Sequence, residues 1–349
     1  MGYTGFSHLR RDLAWRPRGK GMSPATASGI IREDYRRESR VPDPSRYRRP
    51  PSYASLHHGV MMNSSFPSPR RTSPIGVFDS GVGGLTVLRA LRQRLPVEAM
   101  IYLGDTARVP YGPKSPETII AYAREATAYL LSQDIKLLVL ACNTATVQAL
   151  DVISREWPDL PIVGVVEPGA EAAALASKSG RIAVIATEGT VAAGAYNRAI
   201  LRRRADAQVT ARPAGLLVAL AEEGWVDDDI ARAVVHRYLD PILAERPDCL
   251  VLGCTHYPLL ATVIREAIGP DMALVDSSTT TAAAVAAELE RRHLAAPPGS
   301  ATTRYLATDG PARFARLATS FLGEPVPTES IELVNLSEPP RPMVLAARA

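Results

Sequence analysis

Twice in this chain a short apolar run ends in a small residue, a cysteine and then polar groups. The two segments are Lys136-Leu-Leu-Val-Leu-Ala-Cys142-Asn143-Thr144 and Asp248-Cys-Leu-Val-Leu-Gly-Cys254-Thr255-His256. Each run is too short for a lone helix and is rich in Leu and Val, so it reads as a buried strand. Each cysteine then lies at the carboxyl end of a strand, where open α/β sheets place their ligands. Two matched thiols far apart in sequence point to two half-sites facing one substrate.

The rest of the pattern alternates in the same way from Ile75 onward. Strands are expected at Ile75–Phe78, Met100–Leu103, Leu137–Leu140, Ile162–Val166, Arg181–Ala186, Gln208–Ala211, Leu250–Leu252 and Ala273–Val275. Helical patterns fall between them, among them Leu85–Leu95, Pro116–Ser132, Thr146–Trp157, Ala170–Ser177, Val191–Arg203, Ala214–Glu223 and Thr279–Arg292. Strands alternating with helices imply mainly parallel sheets covered on both faces. Two cycles, each with one strand–cysteine unit, imply two related α/β lobes: 74–169 with 279–332, and 170–278. Tyr305–Ala307 and Ala312–Leu322 would close the first lobe, and 333–349 reads as a Pro-rich tail.

The net charge of +4 hides a division. Residues 1–73 hold 14 of the 40 Lys and Arg and 5 of the 36 Asp and Glu, so residues 74–349 keep 26 against 31, a net of −5. The basic character belongs to an Arg- and Pro-rich extension without periodic apolar positions, which reads as disordered. One reading puts the true start at Met61 or Met62. Nucleic-acid binding is not expected of the acidic body, and any such contact would fall to the extension. No apolar stretch approaches the roughly 20 residues that span a bilayer. Three cysteines in 349 residues argue for a reducing compartment rather than a disulfide framework. Cys249, early in its apolar run, reads as packing.

Two further segments start at strand ends. Phe78-Asp79-Ser80-Gly81-Val82-Gly83-Gly84 has neither the GxGxxG spacing of a dinucleotide fingerprint nor the Lys of a phosphate loop. It reads as a tight turn presenting Asp79 and Ser80. Gly104-Asp105-Thr-Ala-Arg108-Val-Pro-Tyr111-Gly112 is a long polar loop that could turn Asp105, Arg108 and Tyr111 toward the same crevice. At a helix N-terminus the thiolate of each cysteine would be favoured, its pKa falling from about 8.5 toward neutrality. His256 would pair with Cys254. A zinc site needs three or four ligands, and Cys142, Cys254 and His256 offer at most three. None of the four lysines, Lys20, Lys114, Lys136 and Lys178, stands in a context suited to a pyridoxal Schiff base. A symmetric two-base proton exchange without cofactor fits two opposed thiols best. A cysteine hydrolase would need only one.

These residues resemble the glutamate racemases of the aspartate/glutamate racemase superfamily. The matching segments are Ile75–Val87, Tyr102–Gly112, Ala141–Thr146, Gly164–Gly169, Glu188–Tyr196 and Leu252–Leu260, covering about residues 74–323. The resemblance implies two pseudo-symmetric three-layer α/β lobes with the active site in the cleft between them, no cofactor, and Cys142 and Cys254 as the acid/bases. Cys142 would deprotonate D-glutamate and Cys254 L-glutamate. It implies supporting roles for Asp79 near Cys142, for Glu222 and His256 near Cys254, and for Asp105. Substrate would be held by Asp79, Ser80, Tyr111, Gly112, Asn143, Thr144, Thr190, Thr255 and His256, with Thr187 beside Thr190. Glutamate is the implied substrate, D-glutamate for peptidoglycan the implied product, a cytoplasmic homodimer the implied state. An aspartate or other amino-acid racemase on the same scaffold is the near alternative. Some members of the family inhibit DNA gyrase, which makes an added binding role the alternative from another class. Arg212 stands where the family has Cys, a change expected to affect substrate affinity or the lobe contact.

Overall fold

Near-continuous apolar runs dictate strands buried on both faces. The computed structural model, which describes residues 70–299 and 301–337, shows them as two parallel sheets. The larger has six strands in the order β10-β9-β2-β1-β3-β4. Its members are β1 Ile75–Asp79, β2 Met100–Gly104, β3 Leu137–Leu140, β4 Ile162–Gly164, β9 Thr303–Ala307 and β10 Ile331–Leu333. The smaller has four, β6-β5-β7-β8, from β5 Arg181–Ala186, β6 Gln208–Pro213, β7 Cys249–Gly253 and β8 Ala273–Asp276. Every residue of β1, β2, β3 and β7 is buried.

Eleven α-helices cover these sheets among the described residues. They are α1 Leu85–Arg94, α2 Pro116–Ser132, α3 Asn143–Glu156, α4 Val166–Ala176, α5 Glu188–Ala192, α6 Ala195–Arg203, α7 Leu216–Glu223, α8 Asp229–Leu243, α9 Ala261–Ile268, α10 Ser277–Arg291 and α11 Pro311–Leu322. None is long and apolar enough to cross a membrane.

Local chemistry moved several boundaries. Helix α3 begins three residues before its first expected turn, because Cys142 itself caps it. Strand β4 stops at Gly164 and α4 takes over Val166, with Pro168 accommodated in its first turn. The single helix expected over Val191–Arg203 is two helices, broken at Gly194, whose φ of +60° is left-handed and suits glycine. Strand β10 was not foreseen, and Leu336 beyond it is buried. Most of the 1–73 extension and residues 338–349 lie outside the described residues.

Lys136 closes the amino end of β3, opposite Cys142. Its side chain is fully buried, donating to the carbonyls of Arg71 at 2.7 Å and Leu294 at 2.8 Å and pairing with buried Glu98 at 2.5 Å. Burial lowers its pKa, and Glu98 opposes the shift. The amine is therefore held as a staple between three chain segments. Removing one partner of a buried pair leaves the other charge uncompensated, at a cost of about 3–5 kcal/mol. Lys136→Met is expected to lower unfolding stability on that scale in urea titration. A midpoint and slope identical to the parent protein would show that the pair is not needed.

Candidate active site

Parallel sheets align their carboxyl ends, and Asp79, Cys142 and Cys254 stand at or just past those ends on β1, β3 and β7. Each cysteine is only 6% exposed. Cys142 has extended backbone, with φ −75° and ψ 122°, and its Sγ accepts the Ala145 amide at 3.4 Å. The Ser80 hydroxyl also favours the charged form of this sulfur. Burial pushes the thiol up to about 12, and the Asp79 charge acts in the same direction. Ser80 and the Ala145 amide pull the other way without prevailing. At this helix start burial thus works against the favoured thiolate that the sequence suggests.

Asp79 is buried, which raises its pKa, while His256 and the Gly81 and Gly84 amides hold it down. Its Oδ2 accepts the Gly81 amide at 2.8 Å. Next to Cys142, Asn143 accepts the Tyr196 hydroxyl through Oδ1 at 2.8 Å. Asp79 Oδ1 and Asn143 Nδ2 are both buried without a hydrogen-bond partner among the described residues. One acceptor and one donor thus stand unpaired at the ends of adjacent strands, a costly state unless a ligand answers them.

On the other sheet, Cys254 Sγ lies 3.8 Å from His256 Nδ1, and His256 Nε2 lies 3.2 Å from Glu222 Oε1. Burial opposes the imidazolium, but Cys254, Glu222 and Asp79 favour it and raise His256 to about 10. The hydrogen bond from His256 in turn lowers Glu222, with Arg313 and Arg316 helping. The Cys254 charge is felt at Cys142, so the two thiols belong to one electrostatic neighbourhood.

Hydroxyls sew the sheets together. Thr144 Oγ1 lies 3.0 Å from Thr187 Oγ1 and 3.3 Å from Thr190 Oγ1, and Thr187 also caps α5. Thr86 Oγ1 donates to the Thr255 carbonyl at 3.0 Å. A Cβ added to Gly83 would stand 2.4 Å from Thr255 Oγ1 and 2.5 Å from the His256 ring, so only glycine permits this approach. Gly112 lies against Thr187.

Asp105 adjoins this group through its backbone amide, which donates to the Asp79 carbonyl at 3.1 Å, while its side chain takes other partners. Its carboxylate accepts from Tyr111 at 2.5 Å, Arg108 at 2.7 Å and Thr308 at 3.0 Å, and it is fully buried. It lines a cavity of about 390 Å³ with Ala107, Arg108 and Thr308 that includes neither cysteine. Tyr111 has given its hydroxyl to Asp105. Arg212 lies on edge strand β6 and pairs with Glu245 at 3.4 Å.

Three neighbours escaped sequence reasoning. Tyr196 belongs to the Glu188–Tyr196 segment but carried no role there. Gly83 looked like ordinary turn glycine. Arg313, on an exposed helix turn, has no sequence signal at all, yet its Nη2 donates to Glu222 Oε2 at 2.8 Å.

A sequence model of the Asp/Glu/Hydantoin racemase family matches residues 75–287. A glutamate racemase from Syntrophus aciditrophicus is 46% identical over 264 residues, 75% of this chain and 97% of that one. A glutamate racemase isoform from Bacillus anthracis superposes with a TM-score of 0.73 at 34% identity, covering 76% of this chain and 99% of that one. The glutamate racemase of Francisella tularensis, solved in complex with D-glutamate, gives 0.71 at 34% identity over 76% and 98%.

Proposed function

The chain belongs to the Asp/Glu/Hydantoin racemase family, among its glutamate racemases, and is an isomerase; from that premise we propose that Cys142 and Cys254 interconvert L- and D-glutamate as opposed acid and base. The observation that carries the reading is the unpaired Asp79 Oδ1 and Asn143 Nδ2 beside two enclosed thiols. The carboxylate suits an α-ammonium group. The amide, with Thr144, Thr187 and Thr190, suits carboxylate oxygens. The Francisella complex with D-glutamate supports that substrate.

In the proposed reaction one thiolate takes the α-proton, breaking the C–H bond and forming S–H. The opposing thiol gives its proton to the other face of the carbanion, which inverts the centre. The substrate ammonium, bound beside Asp79, offsets the negative charge that adds to burial in raising the Cys142 thiol. The enclosed site strengthens these interactions by excluding water. His256 and Glu222 serve Cys254; Asp79 and Ser80 serve Cys142; Asp105 positions Tyr111. No cofactor takes part, and a cytoplasmic homodimer supplies D-glutamate for peptidoglycan. The lobes are residues 74–169 with 279–332, and 170–278.

The test is incubation of each pure enantiomer with the purified protein in D2O without added cofactor. Nuclear magnetic resonance follows deuterium at the α-carbon while circular dichroism follows inversion. Both enantiomers should invert and gain deuterium. Protein that inverts neither would overturn the reading.

A further inference from the structure

The two half-sites are assembled differently. Besides the opposing Cys254, the side chains that act on the Cys142 thiol, Asp79 by its charge and Ser80 by hydrogen bonding, come from β1 and the turn after it, within the same six-stranded sheet. Around Cys254 this is not so. His256 and Glu222 come from its own side, but α11, which packs against the six-stranded sheet, contributes twice. Arg313 Nη2 donates to Glu222 Oε2 at 2.8 Å, and Phe321 meets the His256 ring edge-on, with centroids 5.2 Å apart and planes at 86°.

We propose that Arg313 is a positioning residue for the Cys254 half-site, acting across the cleft through Glu222 and His256. This inference rests on the two-thiol reading above. The chain of contacts is continuous: Arg313 to Glu222 at 2.8 Å, Glu222 to His256 at 3.2 Å, His256 to Cys254 at 3.8 Å. With one carboxylate oxygen fixed by Arg313, the other holds His256 Nε2, and Nδ1 faces the sulfur. The charged groups around this chain are Cys254, Asp79, Glu222, Arg313 and Arg316. Separation of the lobes would break the Arg313 and Phe321 contacts and leave Asp79 and Ser80 beside Cys142. Cys142 thus keeps these two side chains in either state of the cleft, whereas the His256–Glu222 pair beside Cys254 is braced by Arg313 and Phe321 only when it is closed.

The Arg313 side chain is 59% exposed and that of Glu222 25%, so the ion pair is solvent-screened and its loss should be mild. Arg313→Ala is expected to lower kcat/KM about two- to fivefold with an unchanged melting temperature. Because the enantiomers are equal in energy, kcat/KM must fall equally in both directions and cannot reveal which thiol is affected. Kinetic isotope effects with α-deuterated substrates can. If removal by Cys254 becomes slower, the isotope effect rises for L-glutamate. For D-glutamate it falls, because Cys142 then works reversibly ahead of a slow reprotonation. Arg313→Lys, which keeps a cation, should move both effects back toward the parent values. Parallel changes for both enantiomers, or no change in Arg313→Ala while the parent racemises normally, would overturn the role of Arg313 and leave the two-thiol reading standing. A parent protein that racemises while neither α-deuterated substrate shows a primary isotope effect would overturn both.

Discussion

Cys142→Ala and Cys254→Ala are each expected to abolish measurable racemisation, a loss of at least about 10³-fold on the scale of one general acid or base. Each protein should fold, because a buried cysteine behaves as a small hydrophobe and alanine leaves only a small void. The two variants should differ in what remains. If Cys142 is the base for D-glutamate, then with Cys254 gone D-glutamate should exchange its α-proton for deuterium without inverting. With Cys142 gone, the same half-reaction should survive for L-glutamate alone. Racemisation at the parent rate in either variant, read by circular dichroism, would eliminate two-base chemistry. A trapped acyl-enzyme dependent on one thiol would point to a hydrolase instead.

Gly83→Ala is the second large effect. The added Cβ would stand 2.4 Å from Thr255 Oγ1 and 2.5 Å from His256. Real Cβ contacts do not come so close, so the turn or the imidazole must move. His256 is confined on its other sides by Glu222 and Phe321, and it carries the contact to Cys254. A displacement of about 1 Å in such a site costs on the order of 10²-fold in rate. The expected outcome is that loss in kcat, with the far-ultraviolet spectrum unchanged. Gly215→Ala is the matched control: its φ is −58° and nothing lies within 4 Å of the added atom, so its activity should match the parent protein. Equal activities for the two variants would show that the Gly83 contact with His256 does not matter.

The strands were legible because parallel strands covered on both faces leave unbroken apolar runs, as at Leu137–Leu140 and Leu250–Leu252. Helix starts were less so. A cysteine is not a usual cap, yet Cys142 opens α3 and its sulfur accepts the Ala145 amide, three residues before the helical pattern starts at Thr146. Ile331–Leu333 gave no strand signal because it is a three-residue edge with one buried member. At the site, Asp79, Cys142, Asn143, Thr144, Cys254 and His256 follow strand ends, and parallel strands bring those ends together. What sequence cannot convey is which neighbour arrives from the other sheet. Tyr196 on Asn143 and Arg313 on Glu222 depend on tertiary placement alone. The sign of the Cys142 shift was also out of reach, since it depends on how much water burial removes.

At the site the two sheets are bridged by hydroxyls: Thr86 on Thr255, Thr144 on Thr187 and Thr190, Tyr196 on Asn143. A neutral hydrogen bond exchanged for one to water changes free energy by only about 0.5–1.5 kcal/mol. Releasing these bridges is therefore cheap, far cheaper than opening the apolar cluster that both sheets share. The enclosure that chemistry demands and the breathing that substrate entry demands are met by one set of threonines and a tyrosine, whose partners water can replace.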